Sequence, residues 1–213
     1  MIESAHGLIL RTRPLTETSL IVNWLTPKFG RLSTVAKGAR RAKSPFHGKL
    51  DLFYEADFTF QRSRRSELHT LRELGLRETH SELRREMCWL QQAAYASALI
   101  EQTTETETPL PEIHALFSGL LKHLPLTPPK PRTVFAFEMK LLRLLGLEPD
   151  LSEAKLAPES RDLVVALTEA RWDELGGLRA TAAQARAVQQ FLHGFLIYHL
   201  GKLPKGRSAA VGT

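Results

Sequence analysis

Between Thr18 and Leu50 the chain holds no Asp or Glu, yet Lys28, Arg31, Lys37, Arg40, Arg41, Lys43 and Lys49 all lie there. Neighbouring cations repel one another. The chemistry that relieves this most directly is neutralisation by a polyanionic phosphate chain, with release of its condensed counterions. Residues 1–80 carry 14 Lys and Arg against 8 Asp and Glu, and residues 81–213 carry 15 against 15, so the whole formal charge of +6 belongs to the first part. A solvated basic loop is the competing reading. Three features favour a ligand: Gly38 and Gly48 let backbone approach it, Phe46 offers a face for base stacking, and a second cluster, Arg62, Arg64 and Arg65, follows in a hairpin-like turn. The candidate nucleic-acid contacts are therefore Arg31, Lys37, Arg40, Arg41, Lys43, Phe46, Lys49, Arg62, Arg64 and Arg65.

Bond-making chemistry has no comparable signature. The eight histidines, His6, His47, His69, His80, His114, His123, His193 and His199, form no i, i+4 pair and no H-E-x-x-H, so each reads as a surface or packing residue and no metal is expected. Gly48-Lys49 and Gly201-Lys202 are not phosphate loops, because no glycine lies five residues before either and leucine follows each lysine. No acids converge on the basic stretch as a nuclease metal site would require. The single cysteine, Cys88, excludes an intrachain disulfide and a thiolate metal site; set among Met87, Trp89 and Leu90, it reads as a small core residue. The expectation is a binder, not an enzyme, with no cofactor.

The elements that must position the basic residues follow from periodicity. Short apolar-polar alternations run over Gly7–Arg13, Ser19–Thr26, Arg31–Lys37, Leu52–Gln61 and Leu68–Arg77. Five strands with one long connection, between the third and fourth, predict an OB-type barrel, with an SH3-like barrel as the rival fold. After Thr79 the period becomes 3.6, with Leu83, Met87, Leu90, Ala94 and Ala98 on one face, and the helix fades near Thr103 into an acidic, Thr-rich solvated turn. Further helices are predicted over Pro111–Leu124, Thr133–Leu145, Glu159–Leu175 and Ala182–Leu200, the Thr133 helix being central because it is apolar almost all round. The expected architecture is two-domain, all-β plus all-α: an OB-fold barrel over 1–79, a helical bundle over 80–203, and a frayed basic tail over 204–213. An ordinary 43% hydrophobic composition, no apolar run near the roughly 18 residues that span a bilayer, and no signal-peptide pattern predict a cytoplasmic, nucleoid-associated protein.

Four stretches carry a family resemblance: G-L-I-L-R-T-R-P-L-T-E-T-S-L-I-V-N-W-L-T (Gly7 to Thr26), G-R-L-S-T-V-A-K-G-A-R-R (Gly30 to Arg41), S-P-F-H-G-K-L-D-L-F (Ser44 to Phe53) and F-E-M-K-L-L-R-L-L-G-L-E-P-D-L (Phe137 to Leu151). Together they resemble the bacterial RecO family of recombination mediators. The resemblance implies an OB barrel followed by a helical domain, binding of single- and double-stranded DNA, strand annealing, and loading of RecA, with RecR, onto strands coated by the single-stranded DNA-binding protein. It also implies that the helical domain receives the acidic, apolar C-terminal tail of that coating protein, for which Lys140 and Arg143 are candidates. The family's K-G-A-R-R-x-K loop falls on Lys37, Arg40, Arg41 and Lys43.

One departure is plain. Many members follow L-G-x-x-P-D-L with two C-x-x-C pairs that hold zinc, whereas here Leu151 continues as S-E-A-K-L-A-P-E-S-R, so zinc is not expected and the chain should pass almost directly from Asp150 into the Glu159 helix. The expected form is a monomer. Two other classes fit the same charge pattern: an RNA-binding OB module, and an interaction adaptor working through its helices.

Overall fold

The computed structural model describes residues 1–212, which separate into two compact units, one of Met1–Ser81 with Thr104–Ser118 and one of Glu82–Thr103 with the chain from Gly119 onward. In the first unit β1 (Ile2–Pro14), β2 (Leu20–Thr26), β3 (Gly30–Ala36), β4 (Glu55–Gln61) and β5 (Leu68–Glu78) close a barrel in the order β1-β2-β3-β5-β4. β1 is long enough to close it because its first half pairs with β4 and its second half with β2. A bulge between Ile9 and Arg11 bends the strand where it changes partner. Only the β3–β5 pairing is parallel, over Ser33–Val35.

Burial alternates strictly along β3, as a half-buried strand requires. Inside, Trp24 stacks on Phe58 at 4.1 Å between centroids, and its indole N–H donates to Thr34 Oγ1 at 2.9 Å, which removes the cost of burying a polar ring nitrogen. Ile9, Val22, Leu32, Phe60 and Leu71 complete the core.

The acidic, Thr-rich segment expected as a solvated turn is instead a strap on the barrel. Thr106 bridges Arg31 in parallel, and the Glu107 and Leu110 amides donate to the carbonyls of Arg31 (2.8 Å) and Pro27 (3.1 Å). The strap pairs with the part of β3 that β5 does not reach, covering an edge that would otherwise present open backbone groups. It passes so close that a Cβ on Gly30, whose φ is +62°, would lie 1.7 Å from the Thr108 carbonyl oxygen; only glycine fits there. Glu107 locks the strap from both carboxylate oxygens: one meets His69 Nε2 at 2.8 Å, the other accepts from Arg62 at 2.7 Å. His69 is buried, stacks on Phe60, and accepts the Ser63 N–H on Nδ1, so its proton sits on Nε2, facing the carboxylate.

The second unit contains α1 (Met87–Thr103), the end of α2 (Pro111–His123), α3 (Pro131–Leu144), α4 (Pro158–Glu169), α5 (Ala182–Leu200) and α6 (Arg207–Val211). α3 is central, with Thr133 to Met139 all buried. Within it Glu138 is fully buried and accepts from Arg207 Nε (2.7 Å), Arg207 Nη2 (2.9 Å) and Tyr95 Oη (2.6 Å). Desolvation and the adjoining carboxylate push the Tyr95 hydroxyl far above its ordinary range, so it remains a donor. The tail expected to fray is corrected here: residues 207–211 are helical and Arg207 is buried, because Glu138 requires a counter-charge.

Two further expectations change. The helix predicted to reach Leu175 ends at Glu169, and the chain turns to lay Trp172 against His123, 5.5 Å between ring centroids, and against Gly119, where a Cβ would lie 2.6 Å from the indole nitrogen. Cys88 is exposed rather than packed, because it sits in the first turn of α1 ahead of the buried face that starts near Gln92. α4 starts at Pro158, one residue from the predicted start, after a link from Leu145 in which Asp150 accepts from Ser152 N and Oγ.

Candidate nucleic-acid interface

The β3–β4 connection, residues 37–54, is a chain of turns rather than a slack loop. Consecutive amide-to-carbonyl bonds run from Ala39 to Ala36, Arg41 to Gly38, Ser44 to Arg41, His47 to Ser44 and Lys49 to Phe46. Two further bonds fix it to the β1–β2 turn: Arg40 N to Thr18 O at 2.9 Å and Gly38 N to Ser19 Oγ at 3.2 Å. Ala39 and Phe46 point inward and join the barrel core. Buried anchors under a fixed backbone leave the charged side chains facing out. Lys37, Arg40, Arg41 and Lys43 are exposed, Lys49 is half-buried, and none has an acidic partner within 4 Å among the described residues. Four free cations on one short rigid segment create a local potential that counterions or phosphates must balance.

Phe46 is corrected: at 7% exposure it plugs the barrel and presents no stacking face. Arg31 and Arg62 are also bound within the fold. Arg31 donates from Nε to Thr104 Oγ1 at 2.8 Å and from Nη2 to the Thr104 carbonyl, holding the strap. Arg62 pairs with Glu3 and Glu107 and lies over the rings of Phe29 and Phe60 at 5.6 and 5.8 Å. Those bonds raise the Arg62 pKa, chiefly through Glu3, and in turn lower that of Glu3. Arg64 and Arg65 are exposed, but the register Ser33 with Leu68 sets their turn beside the Gly30 end of β3. Lys37 follows the opposite end, about 20 Å away at the rise of a strand. The two basic clusters therefore do not merge.

The barrel supplies a neighbour that is absent from the predicted contacts. Arg13 of β1 is exposed, lies opposite Ile21, and Ile21 lies opposite Val35, two residues before Lys37. Arg11 is exposed on the same strand. Their i, i+2 spacing in a strand was the available signal.

In the second unit Lys140 donates to the Thr168 carbonyl at 2.7 Å near Trp172, its pKa lowered first by burial and then by Arg143. Arg143 is held by both oxygens of Glu148 and by Glu169. A hollow of about 540 Å³ elsewhere in this unit is lined by Phe135, Leu163, Leu167 and Leu178, with Lys130, Arg132 and Arg179 around it and no acid in its lining. The barrel unit also gathers side chains that sequence spacing scattered: His6, Glu55 and His114 bring one nitrogen or oxygen each to within 4.8 Å of one another.

A closed OB-type barrel carrying an exposed basic loop, followed by a helical unit, defines a two-domain protein of barrel-plus-bundle class. The chain belongs to the RecO family: residues 1–80 match the family model described as "Recombination protein O N terminal", and residues 90–154 the one described as "Recombination protein O C terminal". Curated relatives named "DNA repair protein RecO" include those of Bacillus pumilus, 29% identical over 72% of this chain and 59% of the relative, and Rhodopirellula baltica, 33% identical over 67% and 53%. That of Exiguobacterium sibiricum is 30% identical over 71% and 60%. The chain thus spans between 53% and 60% of the length of these relatives. Among the described residues no helix is long and apolar enough to cross a membrane.

Proposed function

We propose that this chain binds single- and double-stranded DNA through the β3–β4 loop and anneals complementary strands, making and breaking no covalent bond. The observation that carries this reading is the set Lys37, Arg40, Arg41 and Lys43, exposed and without acidic partners on a backbone pinned by Ala39, Phe46 and Thr18. Phosphates of two strands drawn to one such surface repel each other less, which lets complementary bases meet. By extension of the family's role the protein acts at the nucleoid in recombinational repair, with RecR, to load RecA onto strands covered by single-stranded DNA-binding protein.

Annealing of complementary oligonucleotides, naked and protein-coated, tests this with the wild type and the Arg40→Glu/Arg41→Glu/Lys43→Glu variant. Loss of both activities with the fold intact supports it; retained annealing defeats it. Competition by RNA of the same sequence separates a DNA mediator from an RNA-binding module, and unchanged partner binding by the variant would mark an adaptor.

Because Lys140 and Arg143 are already engaged, the hollow beside Lys130 and Arg179 is the better receptor for an acidic, apolar tail. A peptide of that chemistry should bind the wild type and lose affinity on Lys130→Glu/Arg179→Glu. Unchanged affinity removes this site.

A further inference from the structure

We propose that His6, Glu55 and His114 form a site for one divalent transition cation of the zinc class. The three come from β1, from the first residue of β4 and from α2, all within the barrel unit. His6 Nε2 lies 2.8 Å from Glu55 Oε1, the rings of His6 and His114 approach edge to face at 5.3 Å between centroids, and one ligand atom from each of the three residues lies within 4.8 Å of the others. A tetrahedral ion bonded at about 2.0–2.2 Å needs its ligand atoms roughly 3.3–3.6 Å apart, a distance that small side-chain rotations reach from this arrangement.

The surroundings match what such a site needs. His6 turns Nε2 to the centre and Nδ1 towards Asp57 Oδ1, 3.6 Å away, while Asp57 Oδ2 accepts from Arg77 Nε at 2.6 Å. A carboxylate behind a ligating imidazole fixes the ring and raises its basicity. Glu55 is only 13% exposed and sits at a bulge in the β4–β5 ladder, a device that re-aims a side chain. His80 is held at φ +46° with its Nε2 3.9 Å from Glu55 Oε2, so it or a water completes the tetrahedron. Two imidazoles and one carboxylate select zinc-class ions over magnesium or calcium, which take oxygen ligands. The role is structural: one ion ties β1, β4 and the start of α2 together. It is distinct from any four-cysteine centre and independent of DNA binding.

The test is titration of chelator-treated full chain with Co²⁺, read by the visible bands of tetrahedral cobalt, followed by displacement with Zn²⁺ and a thermal melt. One equivalent should bind, zinc should displace it, and the melting temperature should rise. His6→Ala, partly exposed and so least able to disturb packing, and Glu55→Gln should each weaken cobalt binding by at least about tenfold, the loss that removal of even an outer-shell partner brings. His193→Ala on α5 should leave it unchanged. Absence of saturable binding by the wild type, or unaltered binding by His6→Ala, overturns the site.

Discussion

The amide of Arg40 donates to the carbonyl of Thr18 at 2.9 Å, tying the most basic segment of the chain to the β1–β2 turn. The cations beside it are therefore displayed on fixed backbone, and the proposed binding of DNA would not first have to order the loop, which lowers its entropic cost.

The charge-reversal variant Arg40→Glu/Arg41→Glu/Lys43→Glu should change more than affinity. With about five phosphates engaged on a single strand, log affinity falls with log salt at a slope near −3.5. Removing three contacts should make it shallower by about 2. Fluorescence anisotropy from low to moderate salt measures both slopes, and equal slopes would exclude these side chains from the contact.

Phe46→Ala should act on stability and not on stacking. Deleting a buried aromatic costs about 3–5 kcal/mol, seen as a lower urea midpoint. Phe46→Leu, which keeps most of the volume, should bind DNA as the wild type does. A large loss of affinity in the leucine variant with stability retained would return Phe46 to the interface.

The Glu3–Arg62 pair should make barrel stability depend on pH in one direction. Arg62 holds the Glu3 carboxyl below its ordinary value of 4.5. The folded state thus favours the ionised form, and the pair's contribution is complete above that value and lost as pH falls through the lower folded-state pKa. Glu3→Gln should cost about 1 kcal/mol near neutrality, and denaturation curves of the two proteins should converge in acid. A gap that widens in acid contradicts the assignment.

Arg207→Ala should destabilise the helical unit by about 3–5 kcal/mol, since it leaves Glu138 buried without its counter-charge. Replacing both residues with methionine should recover much of that loss. Equilibrium unfolding followed by helix content reads both variants.

Much of the framework was readable from periodicity. The strand spans differ from the observed ones mainly at their ends, and the helix predicted over Ala182–Leu200 matches α5. The site was less legible, and each failure has a physical source. Phe46 lies in a polar, basic run whose composition signals exposure, and nothing local shows that the turn folds it inward. Arg31 and Arg62 look free because their partners Thr104 and Glu107 lie 73 and 45 residues away. The strap reads as a solvated turn because its Thr and Glu residues are polar, and its partners on the barrel, Arg31 and Pro27, lie more than 70 residues away in sequence. His6, Glu55 and His114 share no helix face or loop, and a ligand set assembled from three elements has no spacing to read.

The strap also imposes an order on synthesis. Strands β1 to β5 leave the ribosome first, yet the Gly30 end of β3 stays uncovered until Thr106 to Leu110 have followed all of α1. A nascent chain paused near residue 80 would expose a ready-made template for intermolecular strand addition. An isolated fragment cut at the end of β5 should accordingly aggregate more readily than the full chain.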